Sequence, residues 1–444
     1  MEFDRFLFCL EKELMRKTVL IKRKFLPVGQ GAFYCECFED SVSGRRFNFV
    51  YDCGARPSVR NIKRVFEDFL YDVSTIDAVF ISHFHEDHIN GLQFLAKKCK
   101  IKRIFFPHME DEDLLLMKLD YITRRFESKE IHRNDGYRFV MKVLSNPQQA
   151  LARLVSDNDY DSEDTHNDII AHDDIVEDIF IRESFMIHIK TNGVGIDSVG
   201  RRNNSARVRN NTRVFSAVPN WIYKVCCIRN DVAVIVIRDK LAQLVKKEFG
   251  KPDATITAEI LAELIMKSKA DGKFRMKLRE TYKDIGDLNV NSLVLYSGCR
   301  CLNELIKVRV CCSRFFTWRH CGCFGLDRRR LSYCYLRKRN AVGCLYTGDF
   351  NAKDHWKELY SMFKKEWDSI GCVQIPHHGS EKSYNDEFLS MGACHVISAG
   401  IGNQYSHPSQ SVLDRYDGEK ICPPIVVTQY SKSCACWDIE LNLL

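Results

Sequence analysis

The chain has 444 residues, 45% hydrophobic and 28% charged, an ordinary balance for a globular protein, so it can bury a sizeable core as one large domain with insertions or as two to three smaller ones. No uninterrupted apolar run approaches the roughly 18 residues a membrane span needs, which excludes a transmembrane helix. The formal net charge of +7 is uneven: between Cys299 and Asn340 eleven Lys/Arg face only Glu304 and Asp327, leaving +9 there and −2 over the rest, so any affinity for polyanions is expected in that stretch.

Twenty cysteines would read as a disulfide framework in a small secreted chain. Here the length argues otherwise. Met1 to Lys17 alternates apolar and charged residues and lacks the apolar run and cleavage site of a signal peptide. A reducing cytoplasm with mostly free, buried thiols is the expected setting.

In chain order, Phe3, Phe6, Leu7 and Leu10 open with helical spacing, and strand-like text begins near Leu20. Phe33–Phe38 and Phe47–Tyr51 are short β-prone segments separated by the turn signal Ser41-Val42-Ser43-Gly44. Ile76–Ser82 is an apolar run of strand length, Ile89, Leu92, Leu95 and Ala96 follow with helical spacing, and Lys102–Phe106 is another strand candidate. Residues 109–288 read as an inserted helical or irregular subdomain. They include an acidic stretch at Ser156–Asp174, an Arg/Asn-rich stretch at Gly200–Arg213 and an amphipathic helix marked by Ile260, Leu261, Leu264 and Ile265. Strand text resumes at Asn291–Tyr296, Ala341–Tyr346, Cys372–Ile375 and Cys394–Ser398, with a helix marked by Trp356, Leu359, Tyr360 and Phe363. The chain divides on this reading into an α/β core in two halves, 1–108 and 289–444, with the block 109–288 between them and a Cys/Arg-rich insertion at 297–340.

The central signal is Ser82-His83-Phe84-His85-Glu86-Asp87-His88-Ile89-Asn90-Gly91, an H-x-H-x-D-H pattern where a buried strand gives way to a helix. In extended backbone, residues two apart point to one side, so His83 and His85 can grip one cation. The chain then turns, and Asp87 with His88 can face a second. Imidazole suits Zn²⁺ and other first-row metals, and carboxylate suits a site left partly open to water. Two metals about 3.5–4 Å apart can hold a hydroxide for attack and stabilise a leaving oxygen. Asp52, Asp349 and the pair His377-His378 each follow a strand candidate, which is where open α/β sheets place ligands. A single strand-ending Asp is more often a turn residue or helix cap, but three such positions together are harder to dismiss.

At these residues the chain resembles the metallo-β-lactamase superfamily, and within it the hydrolase domain of ComEC-type DNA-uptake competence proteins. The resemblance is carried by Val28-Gly29-Gln30-Gly31, Asp52-Cys53-Gly54, the H-x-H-x-D-H, Asn291–Leu295, Thr347-Gly348-Asp349, Pro376–Ser380, and Ser398-Ala399-Gly400 followed by Asn403, Tyr405, His407, Pro408 and Ser409. It covers about residues 20–108 and 289–430. It implies an α/β fold, the four-layer αββα sandwich with a large middle insertion, with metals at one edge between the two sheets. It implies that His83 and His85 bind the first of two divalent ions, Asp87 and His88 the second, that Asp349 bridges both, and that His378 completes the second site. Asp52 supports the histidine loop by hydrogen bonding, His377 is the less favoured ligand of its pair and takes a supporting role, and His407 contacts substrate or donates a proton to the leaving group. Zn²⁺ is the expected metal, with Mn²⁺ as the other candidate.

The chain also departs from this branch. Ala32 and Gln374 stand where it has Asp and often Lys. Many superfamily members carry another histidine ligand, for which only His108 and His188 come into question, and neither has matching context, so the first metal is expected to keep an extra water. The membrane channel of competence proteins is absent, so DNA import is not implied.

Two weaker signals remain. Asp157, Asp159, Asp161 and Asp168 imitate a Ca²⁺ loop, but Ser162 replaces its glycine and the last ligand is Asp rather than Glu, so a solvated acidic loop is the simpler reading. Cys299, Cys301, Cys311, Cys312, Cys321, Cys323 and Cys334 with His320 lack zinc-ribbon spacing, so free thiols are the leading reading and a structural zinc the lesser one, and with Phe315, Phe316, Trp318 and the arginines the stretch reads equally as a basic loop or as a surface for nucleic acid.

The leading expectation is a cytoplasmic metal-dependent hydrolase in which a metal-bridging hydroxide attacks a phosphodiester of DNA or RNA, with Asp87 also orienting the nucleophile. The alternatives are a small ester, lactone or thioester hydrolase, and a metal-binding sensor or partner subunit, as in a bacterial defence system, whose middle block docks a protein partner.

Overall fold

A computed structural model describes residues 17–41, 43–56, 58–125, 135–155, 178–180, 186–189, 205–208, 213–215, 221–250, 255–283, 288–299, 306–309, 341–418 and 423–443. The opening helix pattern, the acidic stretch Ser156–Asp174 with the aspartates of the Ca²⁺-like loop, most of the Arg/Asn-rich stretch, and His320 with every cysteine of the Cys-rich insertion except Cys299 lie outside these residues, while Ser205–Val208 and Arg213 of the Arg/Asn-rich stretch fall in strands.

The first half of the chain supplies β1 (Lys17–Phe25), β2 (Phe33–Asp40), β3 (Arg46–Cys53), β4 (Thr75–Ile76), β5 (Ala78–Phe80), β6 (Lys100–Ile101) and β7 (Ile104–Pro107). Between positions 109 and 288 lie β8 (Asp178–Phe180), β9 (Met186–Ile189), β10 (Ser205–Val208), β11 (Arg213–Phe215) and β12 (Trp221–Arg229). The remainder supplies β13 (Asn291–Cys299), β14 (Ile306–Arg309), β15 (Gly343–Tyr346), β16 (Ile370–Gln374), β17 (Cys394–Ser398), β18 (Ile425–Val427) and β19 (Ala435–Leu443).

Among the described residues these form a nine-stranded sheet in the order β10-β9-β7-β5-β3-β2-β1-β19-β14, an eight-stranded sheet in the order β18-β17-β16-β15-β13-β12-β11-β8, and the small pair β4-β6. Residues 109–288 thus contribute strands to both large sheets. Strand β12 lies inside the second one, antiparallel to β13 along its whole length.

Side-chain alternation separates the layers, because successive residues of a strand face opposite sides. Tyr34, Phe49, Tyr51 and Phe80 of the first sheet meet Tyr223, Leu293, Leu295 and Tyr346 of the second in a shared core. Their neighbours Phe33, Cys35, Val50, Val79 and Ile81 turn outward, under helices that include Arg60–Phe69, Asp111–Arg125, Asp231–Phe249 and Ala258–Ala270. On the far side, Ile222, Val294, Leu345, Val373 and Ile397 pack beneath helices Trp356–Phe363 and Gln410–Gly418. Helix, sheet, sheet and helix give the expected four-layer αββα sandwich.

The run Ile76–Ser82 does not form one strand. Asp77 interrupts it, because its carboxylate accepts hydrogen bonds from Asn48 N and Lys102 Nζ instead of continuing the pleat. The twelve described cysteines are all free thiols. None of the described helices is long and apolar enough to cross a membrane.

A polar knot lies between the sheets. Arg23 and Glu36, both buried, pair at 2.6 Å. Glu36 also accepts from Tyr346 Oη at 2.9 Å and Ser297 Oγ at 2.5 Å, and Ser297 accepts from Trp221 Nε1. A buried charge is tolerated when its lone pairs are taken up in this way, and removing one partner leaves the other exposed to a low dielectric. Glu36→Ala is therefore expected to destabilise the fold by about 3–5 kcal/mol in urea unfolding. A loss under about 1 kcal/mol would show that the knot contributes nothing to stability.

Candidate metal centre

The H-x-H-x-D-H segment leaves β5 and turns into the one-turn helix Glu86–Ile89, with His85 as its extended N-cap. Its position is set by Asp52 at the end of β3. That buried carboxylate accepts from Ser82 N and Ser82 Oγ, both at 2.7 Å, and from His88 Nδ1 at 2.8 Å. Ser82 Oγ also lies 2.8 Å from His83 Nδ1. One side chain thus fixes the tautomer and orientation of His88 directly and reaches His83 through a serine. The loop is tied to the opposite sheet where Leu293 N donates to Ser82 O.

The glycine of Asp52-Cys53-Gly54 follows from this approach. A Cβ on Gly54 would lie 2.2 Å from the Asp87 carbonyl carbon and 2.4 Å from His88 N, so only glycine lets the two backbones pass. Gly348, in left-handed conformation (φ +55°), lies equally close to Ser82, where a Cβ would stand 2.4 Å from the serine Cβ. That contact sets Asp349 over the histidine loop.

Asp349 Oδ2 lies 3.4 Å from His83 Nε2, and its Oδ1 lies 3.2 Å from His88 Nε2 and 3.9 Å from His378 Nε2. His378 donates from Nδ1 to Ser398 O at 2.7 Å and directs Nε2 to within 3.5 Å of Asp87 Oδ2. Two triads result, His83–His85–Asp349 and Asp87–His88–His378. In each, one ligand atom per residue lies within 4.8 Å of the other two. His83 Nε2, His88 Nε2, His378 Nε2 and Asp349 Oδ1 are buried and accept or donate no hydrogen bond. Four such atoms converging on one place need a partner, and nitrogen–carboxylate sets of this kind fit divalent first-row cations.

The electrostatics agree with that fit. Burial would raise the Asp87 carboxyl, but Arg56, His378 and His88 outweigh it and hold it well below the usual carboxylate range. Burial likewise works against ionised Asp349, yet His377, His88 and His83 keep it strongly acidic. Burial and the neighbouring His88 push His83 down, so this imidazole stays neutral. His88 and His378 go the other way: burial disfavours their charge, but Asp349 with Asp52, and Asp87 with Asp349, raise them. While the imidazoles are neutral the carboxylates Asp52, Asp87 and Asp349 outnumber Arg56, so the pocket draws protons or cations.

His377 stands at the edge of this group, 3.9 Å from Asp349 Oδ2, with Nδ1 3.2 Å from Ser383 Oγ. The His407 ring lies 5.6 Å from that of His377 and 6.4 Å from that of His378. Its loop is held by Asn403, whose Oδ1 accepts from Tyr405 N and His407 N. His108 belongs to neither triad; it approaches Glu110, and its carbonyl accepts from Asn291 Nδ2. His188 falls in β9, and its side chain lies outside the described residues. Gln374 is buried beneath the Thr347–Gly348 turn and accepts from both amides, so it shapes the approach of Asp349 rather than meeting a substrate.

Three neighbours escaped the sequence reading. Asn90 clamps Ala55 through both backbone groups. Asn289 donates to the Asp349 carbonyl. Arg56 lies 3.7 Å from Asp87. Asn90 follows the metal motif directly and was within reach of inspection, but Arg56 carries no spacing signal.

A profile of the Metallo-beta-lactamase superfamily matches residues 42–196, running past the histidine motif into the middle block. The chain is 30% identical over 100 residues to the cleavage and polyadenylation specificity factor subunit 3-I of Arabidopsis thaliana, covering 22% of this chain and 14% of that one. It is 24% identical over 132 residues to the cleavage and polyadenylation specificity factor subunit 3 of Dictyostelium discoideum, covering 29% of this chain and 16% of the relative. The chain thus matches only 14% and 16% of the length of these two curated relatives. With the four-layer fold, these matches establish that the chain contains a metallo-β-lactamase superfamily domain, the domain of a family of metal-dependent hydrolases.

Proposed function

We propose that this metal-dependent hydrolase is a phosphodiesterase acting on DNA or RNA. The observation that carries the reading is the pair of triads joined at Asp349, whose two oxygens face His83 on one side and His88 on the other. His83, His85 and Asp349 would hold one divalent cation, and Asp87, His88 and His378 a second, with Asp349 between them. Zinc suits the nitrogen-rich set best, with manganese as the other candidate. Such a cation pair acidifies water and polarises a phosphoryl oxygen when bound.

The chain's own residues supply the rest. Asp87, kept ionised by Arg56, accepts a hydrogen bond from the attacking water and orients it. His407, beside His377 and His378, donates a proton to the departing oxygen. Asp52 fixes the imidazoles that would carry the cations. The choice of polynucleotide is supported by the two relatives, whose names denote cleavage and polyadenylation. The order of motifs from Val28-Gly29-Gln30-Gly31 to Pro376–Ser380 supports the likeness to the ComEC-type branch.

Metal-loaded protein is expected to cleave single-stranded DNA or RNA, and Asp87→Ala to lower the rate at least about a thousandfold, since it removes a cation ligand and a water-orienting group together. Absence of cleavage of any polynucleotide with Zn²⁺, Mn²⁺ or Mg²⁺ would remove this reading. Asp52→Ala is expected to weaken metal affinity by about 10–100-fold in chelator competition while circular dichroism stays that of the wild type. Unchanged affinity would show that the histidines need no such support.

A second reading, a partner subunit, is favoured by one surface. Val232, Ile235 and Val236 form an exposed apolar stripe on helix Asp231–Phe249, at 64%, 58% and 39% exposure. It predicts stoichiometric metal without turnover in the isolated chain, and measurable turnover would exclude it.

A further inference from the structure

Five side chains form a closed ring beside the point where the two triads meet. Arg56 Nε lies 3.7 Å from Asp87 Oδ1, and Asp87 Oδ2 lies 3.5 Å from His378 Nε2. The His378 ring faces that of His407 at 6.4 Å, and His407 stacks on Tyr405 at 5.9 Å with 15° between the planes. Arg56 Nη1 donates to Tyr405 Oη at 2.8 Å, closing the circuit. Asp87 and His378 are buried, whereas Arg56, Tyr405 and His407 are part-exposed. Solvent meets the ring on the side of those three, and of them only Arg56 carries a permanent charge.

Arg56 is also held in place. An isolated bridge joins its backbone to Gln30, and its Nε stands 3.8 Å from Glu86 Oε2 as well as near Asp87. A planar guanidinium fixed beside a cation site matches the geometry of phosphoryl oxygens, which it can grip through two N–H groups. The adjacent Tyr405–His407 stack offers an aromatic face on which a nucleobase can lie.

We propose that Arg56 is a specificity-determining residue that binds a non-bridging oxygen of an anionic phosphodiester at the rim of the metal site, selecting that class over neutral carboxylic esters. This rests on the phosphodiesterase reading above.

The test uses the zinc-loaded full chain as wild type, Arg56→Met, Arg56→Lys and Tyr405→Phe. Metal content is measured first. Binding of a fluorescein-labelled phosphorothioate dT12 is followed by anisotropy across a salt series, and turnover of bis(p-nitrophenyl) phosphate is compared with that of p-nitrophenyl acetate. Arg56→Met is expected to keep wild-type metal content, to weaken oligonucleotide binding at least about tenfold, and to flatten the slope of log affinity against log salt by about 0.7, the loss of one phosphate contact on a single strand. The diester-to-ester ratio should fall at least about tenfold, with Arg56→Lys recovering part of the binding. Unchanged binding and salt slope would overturn the proposal. So would loss of metal along with diester turnover, which would make Arg56 a support for Asp87 only. If Arg56→Met does not fold, the other two variants decide: both must bind the oligonucleotide at least about threefold more weakly than wild type, or the proposal fails. A wild type that hydrolyses the acetate but no phosphodiester would sink the phosphodiesterase reading by itself, and the anisotropy series would still judge Arg56.

Discussion

The hydrogen-bonded Asp52 carboxylate is the contact on which the rest of the centre depends. It is fully buried and accepts three hydrogen bonds, from the Ser82 amide, the Ser82 hydroxyl and His88. Those bonds offset the cost of taking a carboxylate out of water. They also join the end of β3 to the loop that leaves β5, two strands that run parallel side by side. The Gly54 backbone passes against Asp87 at the same place, so the histidine loop is gripped from a side chain and from the main chain together.

The remaining contributors arrive because the second sheet ends at the same edge. Strands β15, β16 and β17 run parallel, and the loops at their carboxyl ends deliver Asp349, His378 and the loop carrying His407. Backbone strain accompanies this convergence. Asp52, His377, His378 and Ser406 all have φ near +50°, a region that non-glycine residues seldom occupy. Each is held there by neighbours: Ser82 and His88 on Asp52, the Gly348 carbonyl and Ser383 hydroxyl on His377, the Ser398 carbonyl on His378, the Asn403 carboxamide on the loop around Ser406. Strain concentrated at one edge, supported by packing elsewhere, is the pattern expected of a functional site.

Charge gives that edge its chemical character. Three buried carboxylates, Asp52, Asp87 and Asp349, gather near Arg56, and among the histidines there His88 and His378 are pulled toward protonation while His83 is pushed away from it. Such a cluster is stable only with compensating positive charge, supplied by protons or by metal ions. The basic residues that dominate the chain's net charge of +7 lie in the stretch 299–340, which supplies none of the ligand candidates.

Local sequence determined much of this. The H-x-H-x-D-H spacing, the strand-ending aspartates at 52 and 349 and the His377-His378 pair named the side chains that meet, because ligand geometry restricts residue type and spacing within a few positions. The pattern of apolar, β-prone runs located about half of the strands of the two large sheets, since such runs are a local property. It failed where a side chain overrode the pattern, as Asp77 does by capturing the Asn48 amide. It gave no strand in the middle block, read as an inserted helical or irregular subdomain, because whether a strand such as β12 joins the core depends on its pairing with β13, some sixty residues further on. Only tertiary structure placed Gln374 beneath a turn, and only it brought Arg56 to Tyr405 across 349 residues. Contacts of that separation leave no spacing in the chain, for they exist only once two sheets have packed face to face.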